Sequence, residues 1–185
     1  MELKKQGRIS IIMPVYNGVS WIGECIESIR QQTDTNWELL VLDDHSTDGT
    51  TELVLKLAEE DSRIVYQKLA KNEGISGNTN ECYKLASGEF IGLFDHDDIL
   101  HPCALYEYVK AINEKDADFI YCDEATFKSP DINKMITMHF KPDYAIDNLR
   151  ANNYICHFSV FSRELLDGTE LFRTKFDGSQ DHDMI

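Results

Sequence analysis

Phe90-Ile91-Gly92-Leu93-Phe94-Asp95-His96-Asp97-Asp98 sets a short apolar run directly against three carboxylates. Phe90 to Phe94 reads as a buried strand. Asp95 and Asp97 are one residue apart, so a strand end can turn both toward one point. Charges crowded in this way repel one another unless a cation lies between them. Carboxylate oxygens are hard ligands and suit magnesium or manganese rather than zinc. The stretch points to a divalent-metal site at the carboxyl end of a central strand, with a solvated acidic turn as the alternative. An EF-hand does not fit, because Leu100 stands where that loop needs its glycine.

Similar apolar runs lie on the amino-terminal side. Ile9 to Val15 reads as a first strand, followed by Tyr16-Asn17-Gly18. Ser20 can cap a helix in which Trp21, Ile22, Cys25, Ile26 and Ile29 recur at helical spacing. Trp37 to Leu42 is a second strand, and it too runs into acid, at Asp43-Asp44. Asp48 can cap a helix carrying Leu53, Leu57 and Ala58. Arg63 to Gln67 is a third strand. The glycine-punctuated loop Asn72 to Asn78 follows, with Ser76 as the cap of a helix through Leu85. After the acidic stretch, Pro102 suits the start of a helix carrying Leu105, Tyr108, Val109 and Ile112. Asp118 to Cys122 is another strand. Lys134 to Phe140 and Tyr154 to Phe161 look like strands, with a helix near Tyr144 to Arg150 between them. Trp21 and Trp37 both read as core.

Strands alternating with helices predict an α/β domain on a mostly parallel sheet. In such a sheet the carboxyl ends lie along one edge, where ligands bind. Pro14 to Asn17, Asp43-Asp44 and Asp95 to Asp98 should therefore meet. The loop at Asn72 to Asn78 opens a helix, whose N–H groups favour an anion. Together these features describe a site for a nucleotide diphosphate.

The chain has 185 residues, 18 of them basic and 33 acidic, for a net charge of −15. That balance disfavours nucleic acid and an anionic membrane surface. Cys25, Cys82, Cys103, Cys122 and Cys156 form no Cys-x-x-Cys pair and read as small buried hydrophobes in a reducing compartment. The polar start, Met1 to Arg8, and the early Pro14 do not make a signal peptide, and no apolar run is long enough to span a membrane. Cytoplasm is the expected location.

Val15-Tyr16-Asn17, Asp43-Asp44-x-Ser46-x-Asp48-Gly49, Asn72-x-Gly74-Ile75-Ser76 and Asp95-x-Asp97-Asp98 occur in this order along the chain. In that order they resemble the inverting family 2 glycosyltransferases of the GT-A fold. Phe94 to Tyr106, Lys141-Pro142-Asp143 and Gly178 to Asp183 are most similar to the bacterial enzymes of O-antigen and rhamnan-type surface polysaccharides. The resemblance implies a single domain with a nucleotide-binding half, 1–123, and an acceptor-side half, 124–185. Family domains continue past the final motif, which implies a domain shortened at its C-terminus. It also implies sugar transfer from a UDP- or dTDP-linked donor to an acceptor hydroxyl, with Mn²⁺ or Mg²⁺. The acceptor would be a glycan or lipid-linked, and peripheral membrane association would be open to a longer form.

By the same resemblance, Pro14, Val15 and Tyr16 line the base pocket, Asp44 bonds the base and Asp43 supports that loop. Gly74 belongs to the donor loop, and Asp95 and His96 lie near ribose and diphosphate. Asp97 binds the metal, with Asp95 as a further ligand and Asp98 as either another ligand or a support behind them. Asp181 matches the catalytic base, and a role as cap of a helix from His182 is the alternative. Asp123 and His157 are candidates for contact with sugar or acceptor; a solvated turn and a core histidine are their alternatives. Thr79 departs from the family pattern, which often has a basic residue there. An inactive domain that binds nucleotide sugar or glycan is the competing function. This chain lacks the lysine that a receiver domain needs after Asp118 to Cys122, and the basic glycine-rich loop that a nucleotidyltransferase carries after its first strand.

Overall fold

The computed structural model describes residues 7–128 and 131–185, and the polar start Met1 to Gln6 lies outside them. The order is β1 (Ile9–Val15), α1 (Ile22–Arg30), β2 (Trp37–Asp43), α2 (Thr50–Glu60), β3 (Ile64–Lys68), α3 (Gly74–Leu85), β4 (Phe90–Leu93) and α4 (Ala104–Lys115). There follow β5 (Phe119–Ile120), β6 (Glu124–Lys128), β7 (Asp131–His139), α5 (Ile146–Ala151), β8 (Ser159–Ser162), α6 (Arg163–Leu166), a 3₁₀ turn (Thr174–Phe176) and α7 (Gln180–Met184).

One sheet runs β3-β2-β1-β4-β8-β5. Its first four strands are parallel, in accord with the α/β reading, but β8 is antiparallel to both β4 and β5. The later half thus inserts one of its own strands into the sheet. A separate antiparallel ribbon, β6 with β7, stands apart from it. β6 is a strand that sequence patterning passes over, because Glu124-Ala125-Thr126-Phe127-Lys128 has little apolar content and pairs on one side only.

Period-two alternation divides the core. Ile9, Ile11, Met13, Leu39 and Val41 pack with α1, α2 and α4. Ile12, Leu40, Leu42 and Ile91 pack on the other face with Cys82 of α3 and Leu166 of α6. Both faces of β1 and β2 are covered, so neither strand alternates with polar residues. Each fully buried Ile or Leu here stabilises the fold by about 1.5–3 kcal/mol. Ile22, Cys25, Ile26 and Ile29 form the apolar stripe of α1. Trp37 is buried, but Trp21 is 46% exposed. It sits about 100° around the helix from Ile22, at the edge of that stripe.

Several expected caps move. Ser20 precedes the first turn of α1 and does not cap it; Trp21 holds the cap position without a side-chain bond. α3 begins two residues before Ser76, so that serine lies inside the helix and is buried. Asp48 does serve the start of α2: its Oδ1 accepts from Thr50 N at 3.0 Å. The strand expected over Tyr154 to Phe161 is shorter, with Ser159–Ser162 alone in the sheet.

At the amino-terminal edge lies a buried carboxylate. Glu38 Oε1 accepts from Ser10 Oγ, from Ser87 N at 2.7 Å and from Ser87 Oγ at 2.9 Å. Arg8 lies 3.3 Å from its Oε2. Burial pushes the Glu38 carboxyl up, but these bonds and Arg8 outweigh it and hold it below the ordinary value.

Candidate functional site

Two loops at the carboxyl edge are stitched together. Asn17 N donates to Ser46 Oγ at 2.8 Å and Thr47 N to Asn17 Oδ1 at 2.9 Å. Gly18 N donates to Thr50 Oγ1 at 2.9 Å and Val19 N to Asp48 Oδ2 at 3.1 Å. Asp43 is wholly buried beneath them. It accepts from Ser46 N at 2.6 Å, Tyr66 Oη at 2.7 Å and Thr51 Oγ1 at 2.8 Å. Burial raises the proton affinity of Asp43, and the bonds from Ser46, Tyr66 and Thr51 more than reverse it, so it stays ionised.

Asp44 spans a gap to the next element. Its Oδ1 accepts from Glu73 N at 2.7 Å and its Oδ2 from Gly74 N at 3.1 Å. Asp177 Oδ1 accepts from Ser76 N at 3.3 Å. The expectation of an anion at this helix start meets a physical obstacle: three of its N–H groups already face protein carboxylates. Gly74 has φ +75°, and a Cβ there would lie 2.8 Å from Asp177 Oδ2. Only glycine suits that position. Thr79 is buried, and its hydroxyl donates to Ile75 O at 2.7 Å.

Beyond β4 the chain turns through Asp95 to Asp98, with Asp98 N donating to Asp95 O at 3.4 Å. His157 Nδ1 lies 3.3 Å from Asp95 Oδ2 and 3.3 Å from Asp98 Oδ2. One ligand atom from each of these three side chains falls within 4.8 Å of the others. Asp98 Oδ2 is buried and receives no hydrogen bond despite the nearby imidazole. Burial pushes the Asp98 carboxyl up to about 6; His157 opposes this, and Asp95 and Asp97 add to it. Two hard oxygens, an orphaned buried one among them, and one imidazole fit Mn²⁺ or Mg²⁺. Asp97, the ligand expected first, stands outside this trio and is exposed. The third member of the trio is His157, brought in by the segment before β8.

What holds His157 is a buried lysine. Lys141 Nζ donates to His157 O at 2.9 Å and to Ile155 O, and pairs with Glu124 at 3.0 Å. Asp123 Oδ1 accepts from Lys141 N at 2.7 Å. On the other side, Gly92 lets the Phe158 ring lie against β4: a Cβ there would meet Phe158 Cζ at 2.5 Å. Cys25 Sγ donates to Asp95 O at 3.4 Å, and burial together with the carboxylates of Asp98, Asp97 and Asp95 keeps that thiol protonated.

Asp181 arrives from the carboxyl-terminal segment. Asn80 Nδ2 donates to Phe172 O at 2.7 Å, and Phe172 N to Asn80 Oδ1 at 3.1 Å. With the Asp177 bond, this fastens the approach to α7 along α3. α7 starts at Gln180, so Asp181 lies in its first turn and does not cap it. Burial raises the Asp181 carboxyl, Asp95 raises it further, and His157 and Gln180 pull it back. Its charge is therefore felt by the acidic cluster.

A cleft of about 460 Å³ joins these parts. Pro14, Val15 and Tyr16 form one wall, Asp44 and Gly74 another, and Asp95, His96 and Asp97 the end, with Gln180 at the rim. Among the expected donor residues only Asp43 does not line it, being underneath. A second cavity of about 740 Å³ shares Asp97 with the first and includes Asp98, Asp123 and His157. Sequence reasoning gave no site role to Lys141, which holds the His157 segment, or to Asp177, which bonds the start of α3. Lys141 and Asp177 fall in or beside the Lys-Pro-Asp and Gly-Ser-Gln-Asp-His-Asp motifs, which was the available signal. No helix among the described residues is long and apolar enough to cross a membrane.

The family profile described as "Glycosyl transferase family 2" matches residues 10–169. An O-antigen biosynthesis protein, RfbC of Myxococcus xanthus, is 32% identical over 187 residues, covering 100% of this chain and 14% of that protein. The structure of TarS 1–349 from S. aureus in complex with UDP superposes with a TM-score of 0.78 at 22% identity, covering 96% of this chain and 53% of that one. The mannosyltransferase PcManGT from Pyrobaculum calidifontis, in complex with GDP-Man and Mn²⁺, gives 0.74 at 22% identity, covering 99% and 52%. These superpositions identify the fold as GT-A. The chain spans 14% to 20% of the length of the curated relatives that match it along nearly its whole length.

Proposed function

The chain belongs to glycosyl transferase family 2, and from that premise we propose that it moves a sugar, with inversion, from a nucleotide-diphosphate donor to an acceptor hydroxyl. UDP- or dTDP-linked sugars are the donors, and a cell-surface polysaccharide is the product. The observation that carries this reading is the juxtaposition of the first cleft with the Asp95, Asp98 and His157 trio. A cleft walled by Tyr16 and Asp44 offers an aromatic face and a carboxylate to a base. The acidic end of that cleft repels a diphosphate unless a dication comes with it. UDP in TarS, and GDP-Man with Mn²⁺ in the mannosyltransferase, support both halves of the pairing.

In the reaction, Asp44 and the Pro14-to-Tyr16 wall hold the nucleotide, while Asp95 and His96 orient the ribose and diphosphate. Asp95, Asp98 and His157 would hold the metal, with Asp97 at the mouth of the site within reach of an added ligand. A bound dication supplies Lewis-acid stabilisation of the leaving diphosphate. Asp181 takes the proton of the acceptor hydroxyl as the new bond forms, on the sugar face opposite the departing group. A carboxylate is a far weaker base than an alkoxide, so this transfer is concerted with bond formation and depends on placement.

Titration calorimetry with UDP, dTDP and GDP, in EDTA and in Mn²⁺, tests the reading. Nucleotide and metal should bind together better than either alone, and Asp98→Asn should weaken the metal dependence. Equal nucleotide affinity with and without metal, for parent and variant alike, would refute it.

A further inference from the structure

The second cavity is larger than the donor cleft, lies across the acidic loop from it, and shares Asp97 with it. Its walls come from α1, from the segment leading into α4 and from the β6–β7 ribbon. Trp21 is half-exposed at one rim, and Glu24 sits one turn further along the same helix. Met135 and Met138 of the ribbon, also about half-exposed, face it from the other side. Asp123 and Glu124 complete the polar part. Among the described residues, no Lys or Arg lines the cavity. Lys141, whose partner Glu124 lines the cavity, is buried and already bonded to Glu124 and to the carbonyls of Ile155 and His157.

We propose that this cavity binds the end of an uncharged acceptor saccharide, with Trp21 as its stacking platform. The inference rests on the glycosyltransferase reading above. Size places the cavity within the range of small-molecule sites. An aromatic ring beside carboxylates suits a sugar: C–H groups lie on the negative ring face, and hydroxyls donate to the acids. Charge selects within that class. Glu24 and Asp123, which neither the metal trio nor Lys141 Nζ offsets, repel a uronic acid or a phosphorylated sugar. Continuity with the donor cleft at Asp97 brings a hydroxyl held here toward the reacting end of the donor. A purely apolar occupant would leave those carboxylates desolvated and unpaired.

Trp21 is also the reporter. Trp37, the other tryptophan, is buried with the Arg63 guanidinium 3.7 Å above its ring, so acrylamide quenching reads Trp21. The probes are methyl glucoside, methyl N-acetylglucosaminide, methyl glucuronide and an isoprenyl phosphate, each with and without UDP and Mn²⁺. Saturation-transfer NMR serves the Trp21→Ala variant. The neutral glycosides should protect Trp21 and lose their transfer signal in Trp21→Ala. The glucuronide should bind at least about tenfold more weakly, and Glu24→Gln should narrow that gap several-fold. UDP with Mn²⁺ should not displace the glycosides. The proposal is overturned if the glucuronide binds equally well, if UDP displaces the glycosides, or if only the isoprenyl phosphate protects Trp21. UDP and Mn²⁺ binding with no saccharide effect overturns this proposal alone. Saccharide protection without UDP binding leaves the cavity assigned and overturns the transferase reading.

Discussion

Asp44 Oδ2 accepts the N–H of Gly74 at 3.1 Å, while Oδ1 of the same carboxylate takes the neighbouring N–H of Glu73 at 2.7 Å. The residue expected to read the base is thus also the residue that closes β2 onto the first turn of α3. Lone pairs remain on both oxygens for a ligand donor, since an ionised carboxylate can accept about four hydrogen bonds.

Asp44→Ala should therefore do two things at once. Nucleotide binding should weaken by roughly 1.5–3 kcal/mol, the range for a charge-assisted bond. Stability should fall by about 1–3 kcal/mol, because two N–H groups lose their partner. Urea denaturation and calorimetry separate the two effects. A variant of unchanged stability would mean that water replaces Asp44 at Glu73 and Gly74.

Asp181→Asn should retain nucleotide and metal affinity while turnover falls by about 10²–10⁴-fold. Release of nucleoside diphosphate, with the donor selected by calorimetry, is the measurement. Asp177→Ala should lower turnover less, through loss of the Ser76 tether, and Asp177→Asn should restore most of it. Normal turnover by Asp181→Asn at saturating acceptor would move the base elsewhere, with Asp123 and Asp183 next to be tested.

Gly92→Ala forces a methyl group into the Phe158 ring. Overpacking of this kind costs about 1–3 kcal/mol. Because Phe158 follows His157 directly, Mn²⁺ affinity should drop together with the unfolding midpoint. A destabilised variant with parental Mn²⁺ affinity would show that His157 is not a ligand.

Glu38→Gln isolates a pH effect remote from the site. The Glu38 carboxyl is held below its ordinary value of 4.5 in the folded chain. A group with a lowered folded pKa contributes stability above its unfolded value and loses it as pH falls through the folded one. The parent should exceed Glu38→Gln by about 1–3 kcal/mol at pH 7. That margin should shrink as the pH is lowered below about 4.5. Thermal unfolding across this range checks it, and a margin independent of pH would assign the effect to packing.

The sheet was legible because β1, β2 and β4 are continuous apolar runs, and the period of an apolar run survives without knowledge of its neighbours. The placement of Asp44, Asp95 and Asp97 at the carboxyl edge was legible because each lies just beyond such a run, and all three line the first cleft. Four features were not. Ser76 looked like a cap, but Asp44 and Asp177 satisfy the helix start from elsewhere in the chain, and side-chain partners so distant in sequence leave no local pattern. Trp21 shares the spacing of the α1 stripe closely enough to pass for core, although it lies at its margin. β6 has no apolar alternation of its own. His157 joins Asp95 and Asp98 only because β8 runs antiparallel to β4, and strand direction is a property of the assembled sheet rather than of Ser159 to Ser162.

The cross-bonding of the two loops at Asn17 and Ser46 has a dynamic consequence. Asn17, Gly18, Val19 and Thr47 each donate a backbone N–H to the opposite loop, so none can open unless both loops separate. Their amides should exchange with solvent deuterium as one group, with a common opening free energy. The wall that meets a ligand is then ordered before the ligand arrives. Little chain entropy should then remain to be lost in these two loops on association.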